Sequence, residues 1–224
     1  MSLQTAAPNI KLRTARSRPK NSKEILLGIA AKLFREKGYK GTSIRDIASR
    51  AKIEPSAIYY HYASKEALLD AVLEHSIQGL LNEVQGALDQ LPAEATSRDR
   101  IQVAMAAHLR SNIAHGDYAL ASRRLMGEVP PAMRRKHAAT RAEYGAYWES
   151  LFQEAGRENG IREDMQLGLA RMFLMGALNW ASEWFDPKKK SPEDLADIFC
   201  GILFDGMGPK APVSAAGRKR MSGL

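Results

Sequence analysis

Apolar side chains return at three- and four-residue intervals along this chain, and no segment alternates apolar with polar at a period of two. A helix turns every 3.6 residues and a strand alternates every two, so this spacing favours helices and excludes a sheet as the organising layer. Ile25, Leu26, Ile29, Ala30, Leu33 and Phe34 form the first apolar face, which begins at Ser22 and is closed by Gly38. Lys32, Arg35 and Lys37 lie near its end, where the helix dipole favours cations. Ser43 is placed to cap a second helix from Ile44 to about Ala51, with Asp46 in the first turn and Ile44, Ile47 and Ala48 inward. Pro55 suits the first position of a very short third helix ending near His61, where its missing N–H would have no partner anyway. Ser64 caps a long fourth helix from Lys65, which carries Leu68, Leu69, Val72, Leu73, Ile77, Leu80 and Leu81 and ends before Leu91-Pro92. Further helices are expected at about 97–114, 118–127, 130–156, 164–185 and 192–206. Gly116-Asp117, Pro130-Pro131, Asn159-Gly160 and Pro187 with Ser191-Pro192 punctuate them. There is no internal repeat. The expected fold is all-α, with about nine helices.

The net charge of +8 is unevenly spread. Residues 1–20 carry Lys11, Arg13, Arg16, Arg18 and Lys20 with no acid, and residues 207–224 add Lys210, Arg218, Lys219 and Arg220, again with none. Residues 21–65 hold nine Lys/Arg against four Asp/Glu, whereas residues 66–206 hold fifteen against twenty-one. That is the pattern of a polyanion-binding head on an acidic body. Residues 1–20, polar and without an apolar period, read as a disordered basic arm whose Arg13, Arg16 and Arg18 could reach a minor groove. Residues 207–224 read as a flexible, solvated basic tail.

No stretch offers the roughly 18–20 apolar residues that span a bilayer; even 165–185 is interrupted by Gln166, Arg171, Asn179 and Glu183. The N-terminus has no apolar run of the secretory type, and the single cysteine, Cys200, can form neither an internal disulfide nor a Cys-rich zinc site. The expected location is the cytoplasm, with no membrane partner and no metal.

Residues 42–65 join two short helices by a tight connection and lead at once into a long one, the arrangement with which a helix-turn-helix presents one helix to the major groove. Ser43 and Arg45 open the bracing helix. Pro55, Ser56 and Ala57 form the small front of the recognition helix, followed by Tyr59, Tyr60 and His61. Lys65, at the start of the fourth helix, can meet a phosphate beside exposed backbone N–H groups.

The string Gly38-Tyr39, Thr42-Ser43-Ile44-Arg45-Asp46-Ile47-Ala48, Ala51-Lys52-Ile53 and Ile58-Tyr59-Tyr60-His61-Tyr62-Ala63-Ser64-Lys65-Glu66-Ala67-Leu68 resembles the TetR-type one-component transcriptional regulators. It covers about a fifth of the chain. Tyr62 stands where that family usually has phenylalanine, and Pro55-Ser56 where small and glycine residues are common. The resemblance implies double-stranded operator DNA as a partner, with Arg45 on a guanine edge and Ser56, Ala57 and Tyr59 at base edges or thymine methyls. Ser43, Tyr60, His61 and Lys65 would hold phosphates. Ile44, Ile47, Ile53, Ile58 and Leu68 are expected in the core, and Tyr62 with them.

The resemblance further divides the chain into a DNA-binding domain at 21–65 and an effector-binding and dimerisation domain at 66–206. The last two helices are the expected homodimer seam, with Phe173, Ala177 and Trp180 on one and Ile198, Phe199 and Ile202 on the other. Met105, Leu109, Met126, Tyr144, Tyr147, Trp148, Phe152, Met175 and Asn179, with Trp184, are the candidate lining of an effector chamber closed by the helix at 165–185; such side chains also serve as ordinary core. Arg123, Arg124, Arg134, Arg135 and Lys136 form a basic cluster that could grip phosphates, or could be a solvated face.

Residues Ala177-Leu178-Asn179-Trp180, Trp184-Phe185 and Ser191-Pro192-Glu193-Asp194-Leu195-Ala196 are similar to the C-terminal halves of regulators that answer acyl-CoA thioesters. The expected function is therefore a ligand-responsive repressor, released from a palindromic operator by an acyl-CoA-type or other hydrophobic effector, with no cofactor. A DNA-binding architectural or partner-controlled regulator without an effector is the alternative. An enzyme acting on acyl-CoA is disfavoured, because no Gly-rich phosphate loop, nucleophile elbow or metal triad is present. His108 and His115, seven apart, lack a carboxylate partner in sequence.

Overall fold

The structure, a computed structural model, describes residues 22–206 apart from 126, 159 and 162. The basic arm, the basic tail and Met126 lie outside the described residues. The helices are α1 (Ser22–Lys37), α2 (Ile44–Ala51), α3 (Pro55–His61), α4 (Lys65–Leu88), α5 (Ser97–Ala114), α6 (Gly116–Leu125), α7 (Pro131–Arg157), α8 (Leu167–Trp184) and α9 (Pro192–Asp205), and the described residues form no strand.

Local chemistry sets most of these boundaries. Ser43, Thr96 and Ser191 each close a reciprocal capping box with an aspartate three residues on, and Ser64 accepts the Ala67 N–H. α3 starts at Pro55 on Glu54, whose side chain makes no cap bond. α6 opens two residues earlier than the sequence suggests. Gly116 and Asp117 form its first turn, because the His115 carbonyl accepts from both Tyr118 and Ala119 and restarts the helix at once. α8 starts at Leu167, three residues later than expected, where the Gln166 carbonyl takes the first intrahelical bond from Ala170.

The buried apolar residues form two clusters. One gathers α1, α2, α3 and the first half of α4 around Phe34, Ile47, Ile58 and Leu68, and it also takes Tyr118, Ala121 and Leu125 from α6 with Val129 beyond it. The other joins the second half of α4 to α5, α7, α8 and α9 around Ile101, Met105, Trp148 and Phe152. Tyr62 is buried in the first cluster as expected, with its hydroxyl unpaired. Two inward assignments are corrected: Ile53 is 39% exposed and Ile25 about half exposed. Ile53 follows Lys52, which turns the chain in the left-handed region at φ 57°, so its side chain leaves the face that α2 presents to the core.

The α1–α2 turn demands its glycines. Gly38 has φ +74°, and a Cβ on Gly41 would sit 2.4 Å from the Lys37 carbonyl oxygen. Buried Thr42 donates from Oγ1 to the Gly38 carbonyl at 2.8 Å, tying the turn to the end of α1.

Candidate nucleic-acid interface

α2 and α3 pack by their inward faces and leave one continuous outer face. Ser43, Arg45, Ser56, Tyr59 and Tyr60 are exposed on it, while Pro55, Ala57, His61 and Lys65 are half-buried. Tyr60 is 86% exposed, a large apolar surface that the fold does not use, and its ring meets that of His61 edge-on at 5.1 Å. Lys65 places its ammonium 4.1 Å from the centre of the Tyr39 ring, whose hydroxyl donates to Glu66. Arg45 makes no ion pair among the described residues, whereas Lys37 pairs with Asp46 at 3.2 Å. Hydrogen bonds from the Ser43 side chain and backbone, with Lys37 beside it, hold the Asp46 carboxyl at about 2. The fold thus neutralises the acid of α2 internally and leaves Arg45 facing outward. Aromatic faces, hydroxyls and cations in this setting can meet base edges and phosphates.

Behind this face, the body reaches the head through side chains that sequence reasoning did not assign to that task. Arg124, at the end of α6, donates to the carbonyls of Arg35 at 2.6 Å and Glu36 at 3.2 Å, capping α1. Glu128 accepts from the backbone N–H of Tyr39 at 3.1 Å and Lys40 at 3.4 Å. On the other side of α6, Arg123 bonds the Asn179 carbonyl, Ser182 at 2.9 Å and Glu183 at 3.1 Å, all on α8. Neighbouring arginines therefore link α8 to α1 through α6. Buried His137 on α7 bonds Asp70 of α4 at 2.8 Å, and Lys136 bonds the same carboxylate at 2.7 Å. The basic cluster read from the sequence is thus largely committed to internal partners, Arg134 included through the Val129 carbonyl.

Of the expected chamber residues, Met105, Leu109, Trp148 and Phe152 are fully enclosed, and Tyr144 is buried beside them. Tyr147, Met175 and Asn179 are half-buried at the same cluster, whereas Trp184, also expected in the lining, lies exposed against Phe185. A surface cleft of 440 Å³ between the end of α7 and the start of α8 is lined by Gln153, Gly156, Arg157, Ile161, Met165 and Leu167, none of them expected. His108 turns into the core, while His115 caps α5 and meets the rings of His75 and Tyr118. Among the described residues, no cluster of His, Cys, Asp or Glu could hold a metal, and no helix is long and apolar enough to cross a membrane.

Of the expected seam residues, Phe173, Trp180 and Ile198 lie on the outside of α8 and α9, while Phe199 packs against the core of the body. Phe173 is 67% exposed and Trp180 61%, with Ile198 also exposed and Ala177, Phe199 and Ile202 half-buried. Leu169 and Met172 extend the same apolar surface.

Residues 26–72 match the bacterial regulatory proteins of the tetR family, and residues 94–207 match the tetracyclin repressor-like C-terminal domain. The transcriptional repressor KstR2 of Rhodococcus jostii is 26% identical over 185 residues, which cover 81% of this chain and 89% of that protein. The ketosteroid transcriptional regulator KstR2 of Mycobacterium tuberculosis superposes with a TM-score of 0.73 at 21% identity, over 84% of this chain and 96% of that one. The regulator AibR, solved with isovaleryl coenzyme A and operator DNA, gives 0.69 at 22% identity over 82% and 98%. Both structural likenesses speak to the fold.

Proposed function

The chain belongs to the TetR family of bacterial regulatory proteins, and from that premise we propose that it is a cytoplasmic, ligand-responsive repressor that binds a palindromic operator as a homodimer. The observation that carries the reading is the outer face of α2 and α3, where Arg45, Ser56, Tyr59 and Tyr60 stand exposed on a braced helix pair. Residues 21–65 form the DNA-binding part: Arg45 reads a guanine, Pro55, Ser56, Ala57 and Tyr59 approach base edges, and Ser43, Tyr60, His61 and Lys65 hold phosphates. Residues 66–206 form the effector and dimerisation part, with Phe173, Ala177, Trp180, Ile198, Phe199 and Ile202 at the seam.

The effector is an apolar molecule, acyl-CoA-type or otherwise, with Met105, Leu109, Tyr144, Tyr147, Trp148, Phe152, Met175 and Asn179 as its lining and Met126, outside the described residues, as a further candidate. The acyl-CoA class rests on the similarity to AibR, which was solved with such a thioester. Two heads on successive major grooves lie roughly 34 Å apart, and an effector that favours another separation weakens binding. That coupling is typically about 1–3 kcal/mol and requires differential affinity for the two head spacings.

One observation favours a second reading, a regulator answering a partner protein instead of a small molecule: Met105, Leu109, Trp148 and Phe152 are already closely packed. Selection of an operator from random DNA, followed by its titration with and without a panel of thioesters, acids and neutral hydrophobes, separates the two. The repressor reading expects a palindromic site and release by at least one compound. Tight operator binding that no compound alters favours partner control, and a protein without sequence preference ends both readings.

A further inference from the structure

The phosphate contact assigned to Lys65 rests on a side chain that lies outside both helices of the helix-turn-helix. The Lys65 ammonium stands 4.1 Å from the centre of the Tyr39 ring, and Lys65 forms no ion pair among the described residues. The Tyr39 hydroxyl donates to the carboxylate of Glu66, the next residue of α4, which is exposed. One half-buried side chain in the α1–α2 turn therefore engages both a cation and an acid at the start of α4.

Tyr39 is itself fixed from two sides. Within the head its ring packs on that of Phe34, 6.0 Å away and tilted at 47°. From the body, Glu128 accepts from the backbone N–H of Tyr39 at 3.1 Å and of Lys40 at 3.4 Å. The Glu128 N–H in turn donates to the Leu125 carbonyl at 2.8 Å, which ties the carboxylate to the end of α6. Gly38 leaves room for this approach, since a Cβ there would lie 3.1 Å from Glu128 Oε1. The turn is gripped by its amides, and the Tyr39 ring is left to reach across to α4.

The two engagements favour DNA in the same sense. A carboxylate partner would neutralise Lys65 before it met a phosphate, whereas an aromatic face restrains the ammonium and leaves its charge whole. A lysine already restrained gives up less rotamer freedom when it binds. A free acid one residue away would repel the same phosphate, and the Tyr39 hydroxyl keeps that acid occupied.

We propose that Tyr39 is the positioning residue for the phosphate contact at the start of α4: its ring presents the Lys65 ammonium, its hydroxyl restrains the Glu66 carboxylate, and Glu128 ties the arrangement to the body. This rests on the reading of Lys65 as a phosphate contact and deepens it. Tyr39 touches no base in this scheme, so its influence is the same on every DNA sequence.

The test measures binding of the full chain to its selected operator and to a scrambled duplex across ionic strengths, with melting and helical content as controls. Tyr39→Phe keeps the ring and frees Glu66, and it is expected to weaken both duplexes alike by about twofold, the scale of an exposed charge effect. In a Glu66→Gln background the same substitution should cost nothing. Tyr39→Leu removes the ring as well and should cost about two- to fivefold more than Tyr39→Phe, the scale of an exposed cation–π contact. That excess should vanish in a Lys65→Ala background. Glu128→Ala should lose part of the ring's contribution and add little to Tyr39→Leu; if it binds as the parent does, the tie to the body is overturned. A Tyr39 that only supports the fold would lower the melting temperature while both sets of double variants stay additive, and that result overturns the proposal. Lys65→Ala that leaves affinity and salt slope unchanged overturns the phosphate reading and the proposal together. Lys65→Ala that weakens binding while the Tyr39 variants show no coupling overturns the proposal alone. If Tyr39→Leu does not fold, the Tyr39→Phe and Glu66→Gln pair decides by itself.

Discussion

At the scale of single residues, the structure separates side chains that hold the fold from those left to act on something else. Asp46 is close to the interface and charged, yet it is engaged by Ser43 and Lys37; Arg45 beside it is not. Arg45→Ala is therefore expected to cost about 1–3 kcal/mol per contacted base pair and to relax preference at one operator position. Lys65→Ala should weaken all sequences alike and lower the salt slope by about one, read from binding isotherms across ionic strengths. A change of specificity on losing Lys65 would reverse these roles. His108 gives a pH signature. Its folded pKa near 4 lies below the ordinary 6.5, so the unfolded chain takes the proton first as the pH falls. Its contribution is complete above about pH 6.5 and declines towards pH 4, by about 3 kcal/mol at most. Urea melts at pH 7 and 4.5 should show a smaller acid loss in His108→Phe.

Among the helices, α6 is the element whose role exceeds its length. It contributes apolar residues to the head cluster, caps α1 through Arg124 and binds α8 through Arg123. Arg35 of α1 returns the connection by pairing with Asp117 at 3.0 Å. Removing a cation from the end of a helix costs about 0.3–1 kcal/mol, so Arg124→Ala should lower the melting temperature by only a few degrees. Operator affinity without effector should stay close to that of the parent, while release by an effector weakens. Unchanged release would show that the signal travels by α4, through Asp70 and His137, instead. None of this was legible locally: Arg124 and its acceptors are 88 and 89 residues apart, and nothing in the sequence near Arg124 marks it as a cap.

For the whole molecule, the exposed apolar surface on α8 and α9 is the main unfinished business of a single chain. Leu169, Met172, Phe173 and Trp180 on α8 are each more than half exposed, and Ile198 on α9 is exposed with them. An isologous pair would bury that surface and supply two heads related by a two-fold. Trp180→Glu or Phe173→Asp should convert the protein to a monomer in sedimentation and cost most of its operator affinity, while helical content is retained. A variant that remains a dimer places the seam elsewhere.

What the sequence determined by itself is what short-range physics determines. Helix identity followed from a 3.6-residue period, and the starts of α2, α3 and α4 from Ser43, Pro55 and Ser64, because such signals act within three residues. The TetR membership was likewise carried by a contiguous string around α2 and α3. Ile53 shows the limit: its apolar character was visible, but the left-handed turn at Lys52 that directs it outward was not. Only the tertiary structure decided which arginines became struts, which histidine entered the core beside Tyr144, and which aromatic residues stayed outside. Those outcomes depend on helices far apart in the chain meeting at particular faces, and on whether each buried polar atom finds a partner there.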